Sequence, residues 1–275
     1  MSASRESKTA GVAGRRGRTI AHRGAAAPVR PERSRVIDEL ESIITQDIGG
    51  RGLAVDPKDN LVTRCQGNLA RAAAHLARET VSVVIVTGFY VAHAAKPTVE
   101  TDGPCGAIAL AWLLARLGAR VSLVTDPLGA GPIASGLRAA HIGDLPIALE
   151  VFPFEDDVAD AAARASNEPA ASGKSAAFTE SFFRTGPGES LTHLIAIERA
   201  GPSWVATTGL TAADSLRFAA LCPSEHQNHV HNSRGQIITA QTAKTHLLFD
   251  FVRENNLPVR TIGIGDGGNE IGMGS

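Results

Sequence analysis

Val81-Ser-Val-Val-Ile-Val-Thr87, closed by Gly88, is a run of β-branched residues, the composition of a strand covered on both faces. After a loop from Phe89 to Lys96, the stretch Thr101 to Leu117 has proline in its first turn and Gly118 near its end, which are helix boundaries. Val121 to Thr125 is a second strand-like run. Strand, helix and strand in that order close as a right-handed crossover. The chain is thereby expected to be an α/β fold, a mostly parallel sheet flanked by helices with its site at the carboxyl ends of the strands.

The remaining elements are weaker but consistent. Order is expected from Ser34, an N-cap for a helix with Val36, Ile37, Leu40, Ile43 and Ile44 at helical spacing. Helices are also expected over Leu61 to Arg78, Ile133 to His141 and Gln241 to Asn255, the last with Ala243, Leu247, Leu248, Phe251 and Val252 on one face. Ile147 to Phe152 and His193 to Glu198 continue the strand pattern, and Val259 to Ile264 is a short buried strand. Glu155 to Glu189, alanine-rich and then glycine- and serine-containing, is expected to be an excursion or lid. Residues 1–33 carry eight arginines and lysines against Glu6 and Glu32 without an apolar face. They constitute a disordered basic tail, or alternatively a mitochondrial transit segment.

Charge and composition narrow the function. A net charge of −1 and 4% aromatic residues provide neither the field nor the stacking platforms for nucleic acid. No run of about 18 apolar residues occurs, so no membrane-spanning helix is expected. Cys65, Cys105 and Cys222 are odd in number and widely spaced, which fits a reducing, cytoplasmic compartment, with the mitochondrial matrix as the alternative. Cys105 is expected to pack among its small neighbours. His226, His229 and His231 have a spacing compatible with zinc, but a polar loop is the simpler reading; His93 is better placed to reach the sheet edge.

Acids gather where strands end. Glu100 and Asp102 follow the first strand and its loop, Asp126 the second, Glu198 the His193 strand, and Asp266 the last. In a parallel sheet these termini share one rim, where acids repel unless a cation joins them or one stays protonated. The segment Gly263-Ile-Gly-Asp-Gly-Gly-Asn-Glu-Ile-Gly-Met-Gly274 adds Asn269 and Glu270 beside Asp266. Carboxylate and amide oxygens of this kind suit Mg²⁺, Mn²⁺ or Ca²⁺. The bland alternative is a tight strand-to-helix turn capped by Asp266 or Asn269, and both can hold at once.

Together with Glu100-Thr-Asp-Gly-Pro-Cys-Gly-Ala-Ile-Ala-Leu-Ala, Ile195-Ala-Ile-Glu-Arg199 and His231-Asn-Ser-Arg-Gly235, the glycine segment resembles the C-terminal domain of D-glutamate cyclase, a family also found as standalone microbial proteins. The resemblance spans roughly Ser34 to the end, so a domain over residues 34–275 is expected. The chain stops one residue after the motif, where relatives continue through another strand and helix, so that domain is expected to be truncated at its C-terminus. The resemblance implies a carbon–oxygen lyase (a hydro-lyase) interconverting D-glutamate and 5-oxo-D-proline plus water, with a divalent metal in an acidic cavity and a small amino acid as its partner. Under that reading Asp102, Asp266, Asn269 and Glu270 hold the metal, and Glu100, Glu198 and Asp266 are catalytic. Gly267 and Gly268 donate N–H groups to the substrate, and Arg199 or Arg234 clasps its α-carboxylate. Clustered acids at such a rim also suit a metal-dependent phosphohydrolase, or a non-catalytic domain binding a metal or small ligand.

Overall fold

The computed structural model describes residues 31–48, 50, 60–78, 81–139, 145–155, 173–203, 205 and 211–273. Residues 1–30 of the basic tail, His141, and positions 156–172 of the expected excursion lie outside the described residues.

Five strands form one sheet: β1 (Ser82–Thr87), β2 (Arg120–Thr125), β3 (Ile147–Val151), β4 (His193–Ile197) and β5 (Arg260–Ile264), in the spatial order β3-β2-β1-β4-β5. Every pairing is parallel, with Ile85 level with Leu123 on one side and Ile195 on the other. Parallel strands require crossovers, and helices on both faces bury the sheet. β1, at the centre, is buried at all six positions. Its side chains alternate between two cores. Val83 and Ile85 join Val121, Leu123, Ile195 and Ile197 under α4 (Asp102–Arg116) and α5 (Pro127–Ala139). Val84 and Val86 join Leu194 and Val124 under α6 (Lys174–Arg184) and α8 (His246–Glu254). α7 (Ala212–Leu221) lies in the long connection after β4.

The first expected helix begins earlier than its proposed cap: α1 runs Pro31–Ile44, so Ser34 lies inside its first turn. The helix expected over Leu61 to Arg78 is two helices, α2 (Leu61–Cys65) and α3 (Asn68–Leu76), broken where Gly67 takes φ +76°. Glu41 of α1 caps the second, accepting from Gly67 N at 2.9 Å and Leu69 N at 3.2 Å. α5 starts six residues before Ile133, with Pro127 in its first turn and the Asp126 carboxylate accepting from Leu128 N and Gly129 N, both at 3.1 Å. The C-terminal helix starts later than expected, at His246, for a reason located at the site. The second part of the excursion is structural. α6 sends Phe178, Phe182 and Phe183 into the second core, and Phe183 stacks on Phe251 of α8 with ring centroids 4.5 Å apart. β5 is not buried as expected, because it is an edge strand, with Ile264 45% exposed.

Among the described residues no helix is long and apolar enough to cross a membrane. Ile85, fully buried between two strands, should cost about 2–5 kcal/mol when cut to alanine. Ile264→Ala on the exposed edge should cost less than about 1 kcal/mol. Urea unfolding of the two variants checks the contrast.

Candidate active site at the carboxyl ends of the strands

Connections from β1 run outward to β2 and β3, whereas β4 lies on its other side and leads to β5. Where the direction reverses, the loops part and leave a crevice above the carboxyl ends. Glu198 follows β4 at this point, and Asp102 opens the helix that follows β1. Gly103 lets that helix approach: a Cβ there would lie 2.8 Å from both Glu198 Cβ and Thr87 Oγ1.

Beneath the crevice is a buried clasp. Arg199 is 0% exposed and Asp126 1%. Arg199 Nη1 donates to Asp126 Oδ2 at 2.7 Å and to the Gly88 carbonyl at 2.6 Å. Its Nε donates to Thr245 Oγ1 at 2.9 Å and its Nη2 to the Ala243 carbonyl at 2.8 Å. The expected C-terminal helix is interrupted here, because residues 243–245 must face the guanidinium rather than their own helix. Arg199 is therefore enclosed and committed, and it is not placed to bind a substrate carboxylate. Asp126 likewise leaves the group of rim acids, since its second oxygen caps α5.

Glu198 adopts φ +44°, a left-handed conformation uncommon for a residue with a Cβ. The residue after it is the buried arginine, while Glu198 itself stays half-buried and faces the glycine turn. That turn is stitched back along the chain after β4: Gly201 N donates to Asn269 O at 3.1 Å, Ile271 N to Arg199 O at 2.8 Å, and Ala200 bridges Glu270. No helix follows β5 among the described residues, so the capped strand-to-helix reading does not apply to them.

Glu198, Asp266 and Glu270 come together, with one oxygen of each lying within 4.8 Å of the others. Burial first, then the charges of Glu270, Asp266, Asp102 and Glu100, push the Glu198 carboxyl up to about 8. Four acids expected at one rim thus act on a single carboxyl, although Glu100 and Asp102 stand outside the inner trio. Asp102 Oδ1 accepts from Gly103 N at 2.9 Å at the helix start. Asn269 donates its Nδ2 hydrogen to the His231 carbonyl at 2.9 Å, tying the turn to the histidine loop, while its Oδ1 and Glu270 Oε1 both flank Gly267, 2.5 and 2.6 Å from where a Cβ would lie.

Other expectations change. The N–H groups of Gly267 and Gly268 donate to Glu270 Oε2 at 3.1 and 2.7 Å. They fix a site carboxylate and are not free for a substrate oxyanion. Cys105 is exposed, not packed, because it lies on the outward side of the first turn of α4. The histidine loop is braced: His226 Nδ1 lies 3.1 Å from His231 Nε2, and His229 Nδ1 lies 3.0 Å from Thr239 Oγ1. His93 meets exposed Arg234 at 2.9 Å. The sequence analysis missed the pairing of Asp126 with Arg199; it set Glu198 and Asp266 on one rim with Glu270 beside Asp266, where the three carboxylates indeed meet. An Asp-Pro step directly before a helix was the available sign that Asp126 is a cap.

Removing one partner of the clasp leaves the other charge buried and unpaired. Asp126→Ala should cost about 3–5 kcal/mol, read as a lower urea midpoint.

A family model described as D-glutamate cyclase-like, C-terminal, matches residues 40–209 and 221–275. The mitochondrial D-glutamate cyclase of Homo sapiens is 29% identical over 247 residues, which is 88% of this chain and 32% of that protein. The chain thus spans about a third of the length of that relative.

Proposed function

The chain belongs to the D-glutamate cyclase-like, C-terminal family, and on that premise we propose that its acidic crevice interconverts D-glutamate and 5-oxo-D-proline plus water, as a carbon–oxygen lyase. The observation that carries this reading is the inner trio of carboxylates, within which burial and the neighbouring acids raise the Glu198 carboxyl.

Ring closure forms a bond between the α-nitrogen and the γ-carbonyl carbon and breaks a carbon–oxygen bond at that carbon. From the ammonium and γ-carboxylate forms, the two protons shed by nitrogen end on the departing oxygen, which leaves as water. Glu198 is the side chain proposed to carry a proton between them, since burial and the neighbouring acids favour its protonated form and it stands beside Asp266 and Glu270. Its left-handed backbone, close-packed against Gly103, limits its freedom to move. Glu270 is held in place by the Gly267 and Gly268 N–H groups, and Asp266 completes the trio. With Arg199 sealed in the interior, Arg234 in the exposed turn 232–236 is the remaining arginine proposed for the α-carboxylate.

Hard oxygen donors crowded to the point of mutual repulsion fit a divalent cation. Asp266 and Glu270, with Asn269 and Asp102 as further oxygen donors, would hold Mg²⁺, Mn²⁺ or Ca²⁺, which when bound supplies polarisation of the γ-carboxyl group, and Glu198 beside them is left to handle the proton.

Purified protein should consume D-glutamate or 5-oxo-D-proline, and chelator should abolish turnover; hydrolysis of a generic phosphate ester instead would select phosphohydrolase chemistry. Glu198→Gln and Asp266→Asn should each lower kcat/KM by about 10²–10⁴-fold without unfolding. Near-normal rates in both variants would discard the scheme.

The raised carboxyl also sets a pH dependence. Between the unfolded value of 4.5 and the folded value of about 8, the native metal-free protein binds more protons at Glu198 than the unfolded chain does. Stability should therefore decline as pH rises through that window and level off above it. Glu198→Gln should flatten the decline, and added Mn²⁺ should raise Tm more at about pH 9 than at about pH 5. Thermal melts across pH provide the check.

A further inference from the structure

β1 ends on Thr87, which lies level with Ile197, the residue before Glu198. Thr87 is 0% exposed, and its Oγ1 makes no hydrogen bond among the described residues. A hydroxyl taken out of water without a partner works against the folded state. Valine has the same branched shape and would serve the strand and the core without that cost. A threonine at this position is therefore accounted for by a partner rather than by packing.

Gly103 shows where that partner lies. A Cβ on Gly103 would be 2.8 Å from Thr87 Oγ1 and 2.8 Å from Glu198 Cβ, so hydroxyl and glutamate border the same point at the start of α4. Thr125 Oγ1, likewise buried and without a partner at the end of β2, instead borders Gly88 and Gly129, on the side of the Arg199 clasp. Glu198 has the complementary need. Its carboxyl is surrounded by Glu270, Asp266, Asp102 and Glu100, and no described residue gives it a hydrogen bond. Once it has given up its proton, its charge would face four acids without a donor. Its own N–H is committed to Ile264 O at 2.9 Å, and the N–H groups of Gly267 and Gly268 to Glu270. The Thr87 hydroxyl is the donor beside it that remains.

We propose that Thr87 is a positioning residue for Glu198, its hydroxyl donating to the Glu198 carboxylate, directly or through one water, whenever that carboxyl is ionised. The inference rests on the proton-carrying part given to Glu198 above. Thr87 keeps its own proton throughout and acts on the substrate only through Glu198. Because β1 is buried at every position, the donor is in place before the charge develops and need not reorganise when it does.

Two substitutions in the full chain separate this role from a packing role, because they move stability and activity in opposite directions. Thr87→Val removes the hydroxyl and retains the shape: Tm should hold or rise, while kcat on D-glutamate or 5-oxo-D-proline falls about tenfold or more with KM unchanged. Thr87→Ser removes a buried methyl and retains the hydroxyl: Tm should fall, while kcat stays within about threefold of the parent. Activity that follows Tm across the two variants, or parental kcat in Thr87→Val, overturns the proposal. A crystal structure of the parent protein at about pH 9 needs no turnover: Thr87 Oγ1 should lie within about 3.2 Å of a Glu198 carboxylate oxygen or of a water shared with it. A hydroxyl bonded to neither overturns the proposal. Should the parent consume neither compound while that contact is present, the cyclase reading falls and the part given to Thr87 stands.

Discussion

The Arg199–Asp126 pair fixes the geometry on which everything above it rests. A guanidinium removed from water is costly unless its donors find acceptors, and here the acceptors come from four separate places: the residues following β1 and β2 and two positions ahead of α8. These acceptors reach the guanidinium only where the segments meet, so the pair ties their positions together. It welds the ends of the three central strands into one floor. The interruption before α8 and the cap of α5 follow from the same requirement.

A rigid floor is what permits a strained rim. Glu198 holds a backbone conformation that a Cβ disfavours, and its carboxyl sits among four other acids. Each feature works against stability, and such features persist only where the surroundings over-determine them. The surroundings here are specific: the buried arginine one residue later, the close approach of α4 at Gly103, and the turn stitched onto Arg199 through Gly201. Local electrostatic cost is thus concentrated at one carboxyl rather than spread through the fold.

Much of the scaffold was legible in the sequence, because strands buried on both faces must be runs of β-branched and aliphatic residues. β1, β2 and β4 carry that pattern, and their order with α4 determines a parallel sheet. Helix boundaries were legible only where local chemistry sets them. The break at Gly67 serves Glu41, and the break before His246 serves Arg199; both partners are distant in sequence. At the site, the rim position of the acids followed from strand ends alone. Which of Glu198 and Arg199 turns inward did not, since that depends on a left-handed residue that composition does not announce. For the same reason the glycine N–H groups were read as free, when Glu270, two and three residues away, takes them.

The site and the last strand share one short segment. Glu270 belongs to the carboxylate trio, and the next residues, Ile271, Gly272 and Met273, line a groove beside β5. Gly263 of the edge strand lies so close to them that a Cβ there would be 2.7 Å from the Ile271 carbonyl. The position of Glu270 therefore depends on how this segment rests against β5. Its anchors come from both sides: the Ile271 N–H on the Arg199 carbonyl, the Ala200 bridge to Glu270, the Gly201 N–H on the Asn269 carbonyl, and two glycine N–H groups on its carboxylate.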